Sequence, residues 1–357
     1  MIHLRHVIKC LTEEGELNAN VDIDLSEAEL LKTYQTMVLT RILDTRMIAL
    51  QRQGRIGFYL SSYGEEACSV GSALGVSTND WFFPAYREQG AMLLKGVSLH
   101  FIISHLRGTA EDEHKGRSLP GLFGCSSKRF VPPSAPVGTQ IPHGVGAALA
   151  SKLIGDNSAT IVYFGDGATS SNDFHSGMNF AGVFKTPNVF FCKNNQWAIS
   201  THVNSQTSSQ GIAVKAQAYG FDGVLVDGND VLAVYLATKT AMENARAGRG
   251  PTLIEALTYR LSSHSTSDDN SRYQDQIEYK KWLNKDPIAR FRKYLNNAGI
   301  WTVKYEQELQ EKSNRQISEA IAQVESSPMP SVDTLITDVY SEIPSALRAD
   351  FEDIRNV

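Results

Sequence analysis

TIVYFGDGATSSNDFHSGMNFAGVFKTPNVFFCKNNQWAIS, residues 160–200, decides the fold. With Ala159 its first residues make a run over 159–164 that is apolar but for Thr160, which predicts a buried strand. A helix is expected over 172–185, with Phe174, Met178, Ala181 and Val183/Phe184 on one face, and 188–192 reads as a second buried strand. Strand, helix and strand within about 35 residues make a βαβ unit, with parallel strands and a right-handed crossover. The first strand ends in Gly165-Asp166-Gly167 and the second in Lys193-Asn194-Asn195. Ligands of an open parallel sheet bind at the carboxyl ends of its strands, so both tips face one site. Asp166 offers a hard carboxylate oxygen and Asn195 a neutral amide oxygen. With a backbone carbonyl and phosphate oxygens they would complete the octahedron of a magnesium ion that tethers a diphosphate. Gly165 and Gly167 remove side chains where the backbone turns and approaches phosphate.

The alternation continues outward. Residues 223–226 (GVLV) and 252–256 (TLIEA) read as further strands flanking a helix over 230–247. Upstream, Ser26 followed by Glu27 and Glu29 marks the start of a helix that runs to Gln53. Residues 64–75 (GEEACSVGSALG) form another helix, rich in small residues, and the pattern turns helical again from Thr139. The segment 105–140 holds Gly108, Gly116, Gly121 and Gly124 with Pro120, Pro132, Pro133 and Pro136, and shows little periodicity. A loop of that length inside a domain is usually functional. Beyond Pro287 the chain is helical and highly charged to Ser326. The expectation is an α/β fold, a parallel sheet flanked by helices. Its parts are an N-terminal arm over 1–25, a main domain over 26–286 and a helical C-terminal extension over 287–357.

Of 357 residues, 42% are apolar and 20% charged, the balance of a globular chain with a substantial core. Thirty-four Lys and Arg against 39 Asp and Glu leave a formal charge of −5, which gives a phosphate backbone nothing to bind and excludes nucleic acid as a partner. The four cysteines, Cys10, Cys68, Cys125 and Cys192, lie far apart with no zinc-ligand spacing and read as buried thiols in a reducing compartment. No apolar run approaches the roughly 20 residues of a membrane span, so no membrane partner is expected. The N-terminus lacks an apolar signal region and holds seven carboxylates between Glu13 and Glu29, against a transit peptide. The expected compartment is a prokaryotic cytoplasm, or a mitochondrial matrix only if a transit peptide has been removed. Gly144-x-Gly146 is the one candidate dinucleotide fingerprint, and it lacks both a third glycine in place and a preceding strand.

GDG followed by NN at this spacing resembles the fingerprint of thiamine diphosphate enzymes. The surrounding sequence resembles the alpha subunit of the decarboxylating component of 2-oxo acid dehydrogenase complexes. The resemblance runs over 30–344 and includes YGEEA (63–67), YREQG (86–90), KGRSLP (115–120), PVGTQIP (136–142), YRLSSHSTSDD (259–269) and DVYSEIP (338–344), in the family's order. HSTSDD and DVYSEIP look closer to branched-chain enzymes than to pyruvate dehydrogenases, which tend to carry Met where this chain has Thr266. A pyruvate or acetoin dehydrogenase alpha subunit is the alternative.

The resemblance implies roles for individual residues. Asp166, Asn195 and the backbone carbonyl of Trp197 match magnesium ligands, and Gly167 and Ala168 match diphosphate contacts. Tyr86 and Arg87 match the pair that holds the terminal phosphate, a task suited to the fork of an arginine. Lys193 stands where relatives place an arginine on phosphate, and Ala135 where they place a serine on the cofactor. Val137 matches a contact of the aminopyrimidine ring. Ser134, Pro136, Thr139 and Gln140 match a potassium-binding loop, and His264 matches the active-site histidine. Ser265 matches a serine whose phosphorylation inactivates mitochondrial relatives. The loop 260–275 is polar and lacks evident apolar anchors, so it is expected to be mobile until cofactor binds.

The implied reaction is oxidative decarboxylation of a small 2-oxo acid, of the branched-chain type, with acyl transfer to a lipoyl group. Thiamine diphosphate and magnesium are the implied cofactors, with potassium a further one. The family also uses a glutamate against the aminopyrimidine ring, which in two-chain members the beta subunit supplies. This chain has the length of the diphosphate-holding half alone, so a beta subunit is an implied partner, in a tetramer of two alpha and two beta chains. A lipoyl acyltransferase core is the other.

Overall fold

A computed structural model describes residues 7–355; the first six residues of the expected arm and the last two of the expected extension lie outside the described residues. Five parallel strands form the central sheet: β1 (Trp81–Phe83), β2 (Thr160–Gly165), β3 (Asn188–Asn194), β6 (Asp222–Asp227) and β7 (Thr252–Leu257). Between β3 and β6 lies a small antiparallel hairpin of β4 (Trp197–Ala198) and β5 (Thr201–His202). The order across the sheet is β1-β2-β3-β7-β6.

The apolar runs of β2 and β3 are explained by what covers them. Ile161 and Tyr163 of β2, with Val189 and Phe191 of β3, point into one core cluster, while Val162, Phe164, Phe190 and Cys192 point into a second on the opposite face. A strand covered on both sides has no polar face to show, so alternation disappears from its sequence.

Helices cover each face. α1 (Glu27–Arg52), α2 (Glu66–Leu74), α3 (Gln89–Leu94), α4 (Leu99–Arg107) and α7 (Val231–Arg246) belong to the first cluster; α5 (Gln140–Ile154) and α6 (Asn172–Phe184) belong to the second. The β2–α6–β3 and β6–α7–β7 crossovers run in opposite directions along the sheet. Their helices therefore lie on opposite faces, as crossovers of one hand require. After α8 (Gln276–Leu283), α9 (Pro287–Asn297) and α10 (Val303–Ser326) insert Phe291, Leu295, Leu309, Ile317, Ile321 and Val324 into the first cluster. Short helices α11 (Thr334–Thr337) and α12 (Arg348–Arg355) follow.

Several expectations are refined. The capping serine is present: Ser26 Oγ accepts from the Glu29 amide at 3.3 Å, and the Glu29 carboxylate accepts from the Ser26 amide at 2.9 Å. On α6, Phe174, Met178 and Ala181 are buried, but Val183 and Phe184 are 67% and 44% exposed. At about 100° per residue, position 183 lies half a turn from Phe174, so these two fall off the buried stripe. Gly144 sits inside α5, where an added Cβ would meet Val162 Cγ2 at 2.4 Å. It lets α5 lie close against β2 and belongs to no dinucleotide loop.

Residues 7–25 pack along the domain edge. Ile8 bridges Val226 of β6 in parallel, and Cys10 and Leu11 are buried in the first cluster. Asp230 holds them there: its Oδ2 accepts from the amides of Cys10 and Leu11 at 2.7 and 2.6 Å, while its Oδ1 caps α7 through Leu232 and Ala233. From the other side Arg290 of α9 donates to the carbonyls of Leu11 and Thr12 and to Asp227. One carboxylate thus satisfies four buried amides. Asp230→Ala should cost about 3 kcal/mol, and Asp230→Asn, which keeps an acceptor oxygen, clearly less. Denaturant unfolding of the assembled enzyme measures both, and a loss under about 1 kcal/mol for the alanine variant would mean that the segment is held elsewhere.

Candidate active site

The carboxyl ends of β2 and β3 open into a cavity of about 390 Å³. It is lined by Asp166, Gly167 and Ala168 beyond β2, by Lys193 and Asn195 at the end of β3, and by Trp197 of β4. Tyr86 and Arg87, just before α3, His264 beyond β7, and Ser134, Ala135, Pro136, Val137 and Gln140 before and at the start of α5 complete the wall. With Glu65, just before α2, the fold therefore gathers residues from six separate stretches of sequence. Thr139, the residue before α5, is not part of the wall, although its amide donates to the Pro136 carbonyl at 3.4 Å.

At one end Asp166 is buried, and Gln206 Nε2 donates to its Oδ2 at 2.6 Å. Burial pushes its carboxyl up to about 6, against the pull of the Gln206 hydrogen bond. A carboxylate made costly in this way gains strongly from a cation. Asn195 donates from Nδ2 to Glu65 Oε1 at 2.7 Å and accepts the Trp197 amide on Oδ1 at 3.1 Å. The Trp197 carbonyl accepts from Arg260 Nη1 at 3.2 Å, leaving one lone pair. The turn 166–170 lies against β4 so closely that a Cβ on Gly167 would come within 2.7 Å of Ala198 Cβ. Among the described residues no three His, Cys, Asp or Glu side chains cluster as metal ligands. The donors present are one carboxylate, one amide oxygen and a carbonyl, a hard-oxygen set that suits magnesium once phosphate oxygens join it.

At the other end Arg87 is 97% removed from solvent, with 3% exposure. It donates to the Ser61 carbonyl through Nη1, and through Nη2 to the His264 carbonyl at 2.7 Å and His264 Nδ1 at 3.2 Å. Three of its five N–H bonds are thereby used; of the other two, Nε–H stands 3.9 Å from Glu65 Oε1, and the second Nη1–H has no hydrogen-bond partner among the described residues. A guanidinium can only donate, so His264 Nδ1 must accept, and the ring proton sits on Nε2. Burial, with the charges of Arg87 and Arg260, pulls this imidazole down to about 3, so it is neutral at physiological pH. Lys193 Nζ lies 2.6 Å from Glu88, 3.4 Å from Glu65 and 3.2 Å from the Arg87 carbonyl. Burial would lower its pKa, but the two glutamates outweigh burial and hold it raised.

The loop 260–275 has the apolar anchors that its composition hides. The Tyr273 ring sits 5.2 Å from Trp197, and Tyr259 and Leu261 are buried with Trp197. Arg260 donates to the carbonyls of Trp197, Ile199 and Ser262 and to Tyr273 Oη. Asp268 accepts from the His264 amide and from Tyr273 Oη. Ser265 is buried behind His264, at 9% exposure.

Glu65, Glu88 and Asp44 have no role in the sequence reading. The first two lie within quoted motifs, but carboxylates are normally surface residues and nothing local marks them as buried. Asp44 of α1 accepts from Tyr59 Oη and from Ser61 Oγ, Ser62 Oγ and the Ser62 amide, fixing the turn whose Ser61 carbonyl holds Arg87. Ile199, at φ 53° and 56% exposed, projects at the cavity mouth. A β-branched residue in that conformation is strained, and the strain sits at the site.

Residues 34–333 match the family described as Dehydrogenase E1 component. The chain is 41% identical over 350 residues to the 2-oxoisovalerate dehydrogenase subunit alpha, mitochondrial, of Homo sapiens, covering 98% of this chain and 79% of the relative. It is 44% identical over 332 residues to the 3-methyl-2-oxobutanoate dehydrogenase subunit alpha of Mycobacterium tuberculosis, covering 93% and 88%. A mitochondrial 2-oxoisovalerate dehydrogenase subunit alpha of Dictyostelium discoideum is 41% identical over 345 residues, covering 95% and 78%. With so much of its length matched, the chain belongs to the dehydrogenase E1 component family.

Proposed function

We propose that the chain is the diphosphate-holding alpha subunit of a thiamine diphosphate- and magnesium-dependent enzyme that decarboxylates branched-chain 2-oxo acids and passes the acyl group to a lipoyl acyltransferase. One observation carries the reading: a buried carboxylate, Asp166, and a buried guanidinium, Arg87, line the same cavity at the strand ends. Together they suit a magnesium-bound diphosphate, the cation at Asp166 and the terminal phosphate at Arg87. The relatives named for 2-oxoisovalerate and 3-methyl-2-oxobutanoate, two names for one acid, favour the branched-chain substrate over pyruvate.

Thiamine diphosphate, when bound, supplies the electron sink that lets a 2-oxo acid lose carbon dioxide. The chain's own residues would do the rest. Asp166, Asn195 and the Trp197 carbonyl would hold magnesium, and Gly167 and Ala168 would let the backbone approach phosphate. His264, neutral and protonated on Nε2, would offer a hydrogen-bond donor to the reacting end of the substrate without introducing a positive charge. Val137, 59% exposed, is with Ile199 among the wall residues that would face the organic part of the cofactor and the partner chain. The turn 134–140 would order around potassium through Ser134, Pro136, Thr139 and Gln140.

A beta subunit belongs to this reading. Among the described residues the only glutamate lining the cavity is Glu65, and its Oε1 is taken by Asn195. The carboxylate that activates the cofactor would come from the beta chain, in a tetramer of two alpha and two beta subunits. All four cysteines are buried and unpaired, and no helix among the described residues is long and apolar enough to cross a membrane. The bacterial cytoplasm is the compartment we assign.

Three outcomes follow. Asp166→Ala should abolish magnesium-dependent thiamine diphosphate binding by calorimetry; near-normal affinity would remove Asp166 from the metal site. The purified chain alone should release no carbon dioxide, whereas reconstitution with a beta subunit should give turnover that favours 3-methyl-2-oxobutanoate over pyruvate. Activity of the pure chain, or a preference for pyruvate, would overturn the respective half of the assignment. Finally, the acyl-transfer rate should show no histidine ionisation between about pH 5.5 and 8, because His264 binds its proton only near 3. Replacing His264 with Gln should retain more activity than replacing it with Ala, and an inflection near pH 6.5 in the wild type but not in either variant would refute the neutral assignment.

A further inference from the structure

Beneath the cavity lies a buried set of four charges: Glu65, Glu88, Arg87 and Lys193, each less than 4% exposed. They balance in sign, which is the condition for keeping charges out of water at all. One of them, Glu65, touches what would be the ligand shell, and Lys193 stands behind it. Glu65 Oε1 accepts from Asn195 Nδ2 at 2.7 Å, and Lys193 Nζ lies 3.4 Å from Glu65 Oε2.

We propose that Glu65 fixes the orientation of the Asn195 amide, so that its oxygen and not its nitrogen is offered to a cation, and that Lys193 is the counter-charge of Glu65 and Glu88 and not a phosphate contact. The inference rests on the magnesium and diphosphate reading above.

An amide side chain has two nearly isosteric ends, and only one can bind a cation. Asn195 is read at both. A carboxylate accepts only, so the NH2 group must face Glu65; a backbone N–H donates only, so Oδ1 must face the Trp197 amide, 3.1 Å away. Turning the amide over would set oxygen against carboxylate and NH2 against N–H, making both contacts repulsive. Without Glu65 the Trp197 amide alone would choose the orientation. Groups that orient a metal ligand in this way tune affinity without touching the metal.

Lys193 follows from its charge partners. Nζ donates to the Arg87 carbonyl at 3.2 Å and stands at ion-pair distance from two buried carboxylates, Glu88 Oε1 at 2.6 Å and Glu65 Oε2 at 3.4 Å. Its charge is thus matched inside the buried set, as a charge kept from water requires. The phosphate then falls to Arg87, whose fork also lines the cavity.

The test is titration of magnesium into the assembled alpha–beta enzyme at fixed thiamine diphosphate, followed by calorimetry, with circular dichroism to confirm folding. Glu65→Met should raise the magnesium needed for half-saturation at least about tenfold, as losing an orienting partner does at other metal sites, while cofactor affinity at saturating magnesium changes little. Glu65→Gln, whose Oε1 still accepts from Asn195, should stay within about threefold of wild type. Asn195→Asp sets two carboxylates face to face and should lose more than Glu65→Met. The exchange Glu65→Gln/Asn195→Asp should recover most of that loss, because the glutamine NH2 then donates to the new carboxylate. A wild-type magnesium requirement in Glu65→Met, or an exchange no better than Asn195→Asp, overturns the role of Glu65. Glu65→Gln/Lys193→Met removes one charge of each sign. It should keep cofactor affinity at saturating magnesium, and a loss of about tenfold there would return Lys193 to phosphate. If the wild-type enzyme shows no magnesium-dependent binding, the underlying reading fails first and separately.

Discussion

The guanidinium of Arg87 is the constraint on which the site depends. It is buried beside the cavity and joins three stretches of chain: the Ser61 turn, the start of α3 and the His264 loop. A buried cation needs fixed acceptors, and each acceptor is itself held in place. Asp44 fixes the Ser61 turn through four hydrogen bonds, and Asp268 fixes the His264 backbone. Lys193 grips the Arg87 carbonyl and the two glutamates. The parallel sheet brings Asp166 and Asn195 to the opposite end of the same cavity. A strand slip of one residue in β2 or β3 would turn each of these side chains to the other face.

The two ends of the cavity are tuned in opposite senses by one cause. Burial raises the Asp166 carboxyl, which awaits a cation, and lowers the His264 imidazole, which is kept neutral among arginines. The first effect favours a metal ion, and the second provides a protonated Nε2 without an added charge. Burial raises the structural carboxylates Asp44 and Asp230 as well, so what sets Asp166 and His264 apart is that both face one cavity.

The β2–α6–β3 unit was legible because two doubly covered strands leave uninterrupted apolar runs, and because G-D-G and K-N-N end them. The site residues at those tips, Asp166, Gly167, Ala168, Lys193 and Asn195, were legible for the same reason. β1 was not: three residues, Trp81–Phe83, are too few to show a period. α3 and α4 escaped because α3 is six residues long and nearly all buried, and because α4 runs into a glycine-rich loop. The burial of Glu65, Glu88 and Asp44 comes from partners 15 to 130 residues away, so no local pattern could reveal it. Tyr273 looked like part of a polar loop until the fold set its ring against Trp197.

The central claim, that Arg87 organises the pocket and receives the terminal phosphate, is tested most directly by one substitution. Arg87→Lys keeps the charge but removes the fork, so it cannot hold Ser61, His264 and a phosphate at once. Calorimetric titration of thiamine diphosphate with magnesium into the assembled variant should show affinity at least about tenfold below wild type, with assembly and unfolding temperature largely retained. Wild-type affinity in that variant would contradict the account.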